Sequence, residues 1–121
     1  NKNNFIKCFQ SMPRSDYLGF LKNCAVLVGN SSSGIIESTL FDTAVINLGI
    51  RQKGRERGNN VIDIEQPTST KIYTEIVKTL KKSKNKNTIR PFGDGKSSKR
   101  IVKYLEHIPI NKKLIQKQIS Y

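Results

Sequence analysis

Three serines stand between two glycines in Gly29-Asn30-Ser31-Ser32-Ser33-Gly34, directly after the apolar run Ala25-Val26-Leu27-Val28 and before Ile35-Ile36-Glu37. Small residues at the tip of a strand let backbone N–H groups approach an anion closely. The hydroxyls add donors, and a helix starting there adds a partial positive charge. A diphosphate is the natural guest. Hydrogen bonds to charged groups contribute about 1.5–3 kcal/mol each, so a few of them suffice for micromolar binding. Ser-Ser-Ser-Gly ahead of an apolar run is equally an ordinary helix-capping loop, and spacing alone does not separate the two readings. The stretch is not a Walker loop, because no Lys-Ser/Thr follows the glycine, and it is not a GxGxxG turn. A nucleophile elbow needs Gly-x-Ser-x-Gly, but Asn30 stands four places before Gly34. His107 is the sole histidine and lies far along the chain, which leaves a Ser-His-Asp triad unsupported.

Two charged residues flank this loop in the reading. Glu37 falls in the first turn of the expected helix, where an acid complements the helix dipole by roughly 0.3–1 kcal/mol. A carboxylate one turn behind a phosphate loop can equally accept both hydroxyls of a ribose, and the residues alone leave both roles open. Arg51 follows the next strand at the same sheet edge, where a guanidinium can fork onto phosphate oxygens. Lys53, Arg55 and Arg57 read as a solvated basic loop.

These side chains need elements to hold them. Phe5 to Phe9 is β-rich and reads as a short strand ending before Pro13. Ser15 or Asp16 can cap a helix to about Asn23, with Tyr17, Leu18 and Leu21 inward. Ala25–Val28 and Ala44–Leu48 are short continuous apolar runs, expected as strands buried on both faces. Ile35 to Phe41 reads as a helix and Asn60 to Ile64 as a strand. Pro67 and Thr68 open a helix carrying Ile72, Ile76 and Leu80 at four-residue spacing, with Tyr73 and Val77 beside them. Lys81 to Asn87 is a charged linker and Gly93-Asp94-Gly95 a turn. A last helix from Ser97 turns Ile101, Val102, Leu105 and Ile108 inward and ends at Pro109. Strands alternating with helices predict an α/β fold with a Rossmann-like parallel sheet of the doubly wound kind. The expected layout is a partial domain over residues 1–108 and a basic tail over 109–121.

The bulk composition sets limits. A chain of 121 residues holds one domain at most. Lys and Arg number 22 against nine acids, a net charge of +13 that favours anionic partners, although much of it can be a solvated surface. The basic residues are scattered and show no recognisable nucleic-acid-binding motif, so no nucleic acid is expected as a partner. No apolar run approaches a membrane span, and no membrane partner is expected. Cys8 and Cys24 form no CxxC pair and sit beside apolar residues, as buried free thiols in a reducing cytoplasm would. Two Cys and one His are too few for a zinc site. The opening Asn1-Lys2-Asn3-Asn4 has no initiator Met and no apolar leader, the expectation being a portion of a longer cytoplasmic protein.

Taken together, Gly29-Asn30-Ser31-Ser32-Ser33-Gly34-Ile35-Ile36-Glu37, Val45-Ile46-Asn47-Leu48-Gly49-x-Arg51-Gln52-x-Gly54-Arg55 and Phe92-Gly93-Asp94-Gly95 closely resemble the hydrolysing UDP-N-acetylglucosamine 2-epimerases. The nearest likeness is to the sialic-acid and capsule branch, and it covers about residues 5–108. The resemblance implies the C-terminal part of a glycosyltransferase-B-like enzyme: two Rossmann-like domains with the UDP-sugar between them, usually a homodimer, with no metal or cofactor. By position, Ser31, Ser32 and Gly34 would hold the diphosphate, Glu37 the ribose hydroxyls and Arg51 the UDP, while the loop near Met12 would border the uracil. The implied reaction abstracts the proton at sugar C2 with loss of UDP, giving a glycal that is hydrated to the 2-epimer. The family's catalytic carboxylates and imidazole would lie upstream of Asn1, in a missing N-terminal domain, and His107 matches none of them. Ala44 stands where relatives often have Pro, and Asp42 where they often have Gly.

A UDP-sugar glycosyltransferase binds donors similarly and is the alternative; its product would be a glycoside, not free N-acetylmannosamine. A basic nucleic-acid module is a third reading, which strong salt-sensitive binding would favour.

Overall fold

A short extended run of four or five residues holds as a strand only where neighbours take up its backbone hydrogen bonds. In the computed structural model, which describes residues 4–82 and 87–115, three such runs supply one another. β1 (Val26–Gly29), β2 (Ala44–Leu48) and β3 (Val61–Ile64) form a parallel sheet in the order β1-β2-β3. Val26 pairs with Ala44, and Val45 with Val61. The α/β class with a Rossmann-like parallel sheet is therefore as expected. The chain falls into two compact units, residues 1–91 and 92–121.

In the first unit the core is centred on β2, whose Val45 and Ile46 are 2% and 0% exposed, and includes Leu21, Ile35 and Ile64. β2 was expected to be buried on both faces, and it is. β1 was expected to be so too and is not: among the described residues it is an edge strand, and Val28 remains 36% exposed.

α1 (Arg14–Asn23) turns Leu21 into the core, with Tyr17 and Leu18 half-buried on the same side. Neither Ser15 nor Asp16 caps it. Pro13 holds the N-cap position with no side-chain cap bond, and Ser15 donates to the Asp16 carboxylate at 3.2 Å instead. α3 (Ser69–Lys81) begins as expected, with Thr68 Oγ1 accepting from the Lys71 N–H at 3.3 Å, and packs on β1 and β2. Ile72, Ile76 and Val77 are half-buried, whereas Tyr73 and Leu80 face outward.

The expected helix over Ile35–Phe41 is replaced by two shorter pieces, α2 (Ser32–Ile35) and a 3-10 turn Glu37–Leu40. Buried side-chain bonds shape this corner. Ser38 Oγ donates to the Gly34 carbonyl at 2.6 Å, which competes with regular helical pairing. Asn60 Nδ2 donates to both Ser38 Oγ and the Thr43 carbonyl, and Thr43 Oγ1 donates to the Leu21 carbonyl at 2.7 Å. Asp42 takes a left-handed φ of 55° in the turn before β2, a conformation that Asp tolerates better than most residues, and Arg90 reaches its carboxylate at 3.3 Å.

Two further expectations are corrected here. Residues 5–9 form no strand, and Phe5, Ile6 and Phe9 stay 98%, 54% and 59% exposed. Neither thiol is in a disulfide among the described residues, but they are not both buried: Cys8 is exposed and Cys24 half-buried, its Sγ donating to the Leu21 carbonyl at 3.4 Å.

In the second unit, Gly93 and Gly95 both adopt positive φ, making the expected turn. α4 (Ser97–His107) follows, but it buries no residue, and Ile101, Val102, Leu105 and Ile108 are exposed rather than inward. Asp94 is held by both guanidinium nitrogens of Arg100 at 2.8 Å and by the Lys96 N–H, which keeps its carboxyl below the usual carboxylate range. α5 (Lys112–Ile115) is a single turn. The readings for residues 83–86 and 116–121 lie outside the described residues. Among the described residues no helix is long and apolar enough to cross a membrane.

Candidate functional site

In parallel α/β sheets ligands gather outside the carboxyl ends of the strands, because there the loops lead away from an ordered edge. The loop Asn30–Ser31 leaves β1 at that edge, and the turn beginning at Gly49 leaves the adjacent strand β2 there. Gln52 ties the two loops together: its Nε2 donates to the Asn30 carbonyl at 2.8 Å. Arg51 therefore sits one residue from a bond to the serine loop. Its own side chain is exposed and has no hydrogen bond or ion pair among the described residues.

The serines divide by role. Ser31 is the N-cap of α2, its Oγ accepting from the Ser33 N–H at 3.3 Å. Ser33 is half-buried, and its Oγ accepts from the Tyr17 hydroxyl at 2.7 Å. Ser31 and Ser32 remain exposed to solvent. α2 has four residues, so the expected charge of a long helix start is reduced to that of one turn. Any anion grip here rests on loop N–H groups and hydroxyls. Both of the open readings of this loop, cap and anion cradle, use Ser31.

Gly34 has a packing role that sequence did not show. It is buried, and a Cβ there would lie 3.2 Å from Leu27 Cδ2 and 3.2 Å from Val45 Cγ1. The missing side chain lets the serine turn settle directly on β1 and β2.

Glu37 opens the 3-10 turn instead of lying in the first turn of a longer helix. Its carboxylate, 20% exposed, meets the Arg14 guanidinium at 3.3 Å. Arg14 and Tyr17 thus bring α1 against the serine corner. Neither was marked as a site residue from sequence, since the signal is a contact across 23 and 16 positions. Met12 is half-buried in the loop before α1.

The basic loop after β2 also differs from expectation. Arg57 is no free solvated cation: its Nη1 donates to both Asp63 oxygens at 2.7 Å, its Nη2 to the Gln52 carbonyl and its Nε to the Arg55 carbonyl. Asp63 Oδ1 also accepts from Asn47 Nδ2 at 2.7 Å. Lys53 pairs with Glu65 at 2.8 Å, a bond and a charge that raise its pKa. An open groove of about 580 Å³ lies elsewhere, between β3 and α3, lined by Asp63, Glu65, Gln66, Thr70, Lys71 and Glu75 among others; no serine-loop residue borders it. No group of three or more potential metal ligands occurs among the described residues.

A sequence model of the family described as UDP-N-acetylglucosamine 2-epimerase matches residues 1–106. A UDP-N,N'-diacetylbacillosamine 2-epimerase (hydrolyzing) of Legionella pneumophila is 38% identical over 119 residues, covering 96% of this chain and 30% of that protein. A GDP/UDP-N,N'-diacetylbacillosamine 2-epimerase (hydrolyzing) of Campylobacter jejuni is 49% identical over 59 residues, covering 49% of this chain and 15% of that protein. A polysialic acid biosynthesis protein of Escherichia coli is 52% identical over 54 residues, 45% of this chain and 14% of that protein. The chain thus spans less than a third of the length of these relatives.

Proposed function

The chain belongs to the UDP-N-acetylglucosamine 2-epimerase family, and on that premise we propose that it supplies the UDP-gripping surface of a hydrolysing 2-epimerase. The observation that carries the reading is the Gln52–Asn30 bond, which draws the exposed hydroxyls of Ser31 and Ser32 and the uncommitted Arg51 guanidinium to the ends of two adjacent parallel strands. Loop N–H groups and the serine hydroxyls hold the diphosphate, with Gly34 keeping the loop close to the sheet. Arg51 adds a forked cation. Glu37, steadied by Arg14, accepts the ribose hydroxyls, and the loop at Met12 borders the uracil.

The reaction is elimination of UDP from the sugar after loss of the C2 proton, then addition of water to the glycal, converting UDP-N-acetylglucosamine to N-acetylmannosamine and UDP. Negative charge grows on the departing diphosphate as the C1–O bond breaks. Donors fixed around that position lower the barrier, so this surface acts by stabilising the leaving group. The acid–base groups come from a domain outside these 121 residues, and the segment alone binds UDP without turnover. The working enzyme is a homodimer.

Titration calorimetry with UDP, on the 121-residue chain and on the longest protein that carries it, is the test. Micromolar binding that weakens about tenfold or more in Arg51→Ala is expected. Absence of binding by the longer protein at millimolar UDP would sink the reading. The similarity to the Legionella protein over nearly the whole chain favours a second reading in which the donor is a diacetylated sugar. Assaying both sugars with the longer protein, and identifying the released 2-epimer, decides between them.

A further inference from the structure

Gln52 is 2% exposed, one of the largest fully buried side chains, although it follows the exposed Arg51 in a turn. Burying an amide is costly unless both ends are bonded, and here only one is: Nε2 donates to the Asn30 carbonyl, while Oε1 has no partner among the described residues. A residue chosen for stability alone would be apolar. The bond it does make falls on the last carbonyl before Ser31. Its own backbone carbonyl is held by Arg57, whose guanidinium is fixed by Asp63, and Asp63 by Asn47 on the neighbouring strand. Asn47 and Asp63 stand opposite each other in the β2–β3 register. A continuous line of bonds therefore runs from β3 through Arg57 and Gln52 to the serine loop on β1.

We propose that Gln52 is a positioning residue for the diphosphate loop, with Arg57 and Asp63 as its anchor, setting the serine loop's N–H groups and hydroxyls at the spacing a diphosphate requires. This rests on the UDP-binding reading above. Gln52 touches no substrate; it acts through the Asn30 carbonyl. Arg57 is spent in this line and is not a ligand for phosphate.

Gln52→Met keeps the volume and removes the amide, so the core stays filled while the Asn30 carbonyl loses its donor. In the longest protein carrying this chain, hydrogen exchange at Ser31–Gly34 is expected to speed up at least tenfold, with the melting temperature within about 2 °C of wild type. UDP affinity, followed by chemical-shift titration, is expected to fall about tenfold, while uridine affinity stays within twofold. Gln52→Glu, which turns the donor into an acceptor facing a carbonyl, is expected to lose more UDP affinity than Gln52→Met. Equal weakening of UDP and uridine, or unchanged loop exchange with wild-type UDP affinity, would overturn the positioning role and leave the UDP site standing. A wild-type protein that binds neither ligand would overturn both.

Discussion

The serine corner and α4 show opposite relations between pattern and packing. At the corner, side-chain bonds cross long stretches of chain: Tyr17 to Ser33, Thr43 to Leu21, Asn60 to Ser38 and Gln52 to Asn30. The serine stretch has no helical or strand periodicity, yet Gly34, Ile35, Ser38 and Thr39 are buried. α4 has a clear apolar stripe and buries nothing, and its side-chain bonds among the described residues stay local, Arg100 to Asp94 and His107 to the Lys103 carbonyl. Periodicity is enough to form a helix; burial needs a partner that the helix itself does not specify.

The largest contrast lies in large-to-small substitutions. Ile46→Ala on β2 removes a fully buried side chain and should cost about 2–5 kcal/mol in denaturant unfolding. Leu105→Ala on α4, where 68% of the residue is exposed, should stay within about 0.5 kcal/mol. Equal costs would break the comparison. A smaller effect is expected at Gly34→Ala, where the new methyl crowds Leu27 and Val45 at 3.2 Å. About 1–3 kcal/mol of stability is lost by overpacking, and a variant as stable as wild type would show that the corner has slack.

The smallest effect belongs to the turn before α4. Hydrogen bonds from Arg100, then from the Lys96 N–H, hold the Asp94 carboxyl below its ordinary range. Because the folded pKa is the lower one, the turn's contribution is complete above the unfolded value, about 3.9, and is lost as pH falls through the folded value. An NMR titration should show Asp94 protonating below the ordinary aspartate value and the Lys96 amide shifting with it. Arg100→Gln should return Asp94 toward the ordinary value. An Asp94 that titrates normally in the wild type contradicts the fork.

Sequence pattern sufficed for β2, β3 and α3, because an apolar run, an alternating run and a Thr cap at Thr68 act through neighbours close in the chain. It misjudged β1, since edge and centre depend on which strands pair, and residues 5–9, where β-forming residue types alone do not make a strand. It missed the break of the Ile35–Phe41 helix because the cause, Ser38 bonding back to Gly34 while accepting from Asn60, spans 22 residues. The same limit hid Arg14, Tyr17 and Gln52 at the site, where only Ser31, Ser32, Gly34, Glu37, Arg51 and Met12 were readable from motif and resemblance. Arg57 looked like a solvated charge because its partner Asp63, six residues on, is brought to it only by the fold of the loop before β3.

The register of that sheet also bears on how the domain is made. Val26 meets Ala44 and Val45 meets Val61, so each ladder closes over fewer than twenty residues, near the shortest crossover that parallel strands allow. Loop-closure entropy rises only with the logarithm of length, and these loops are short. The three strands can therefore zip together in order as the chain leaves the ribosome, each recruiting the next before distant segments have been synthesised.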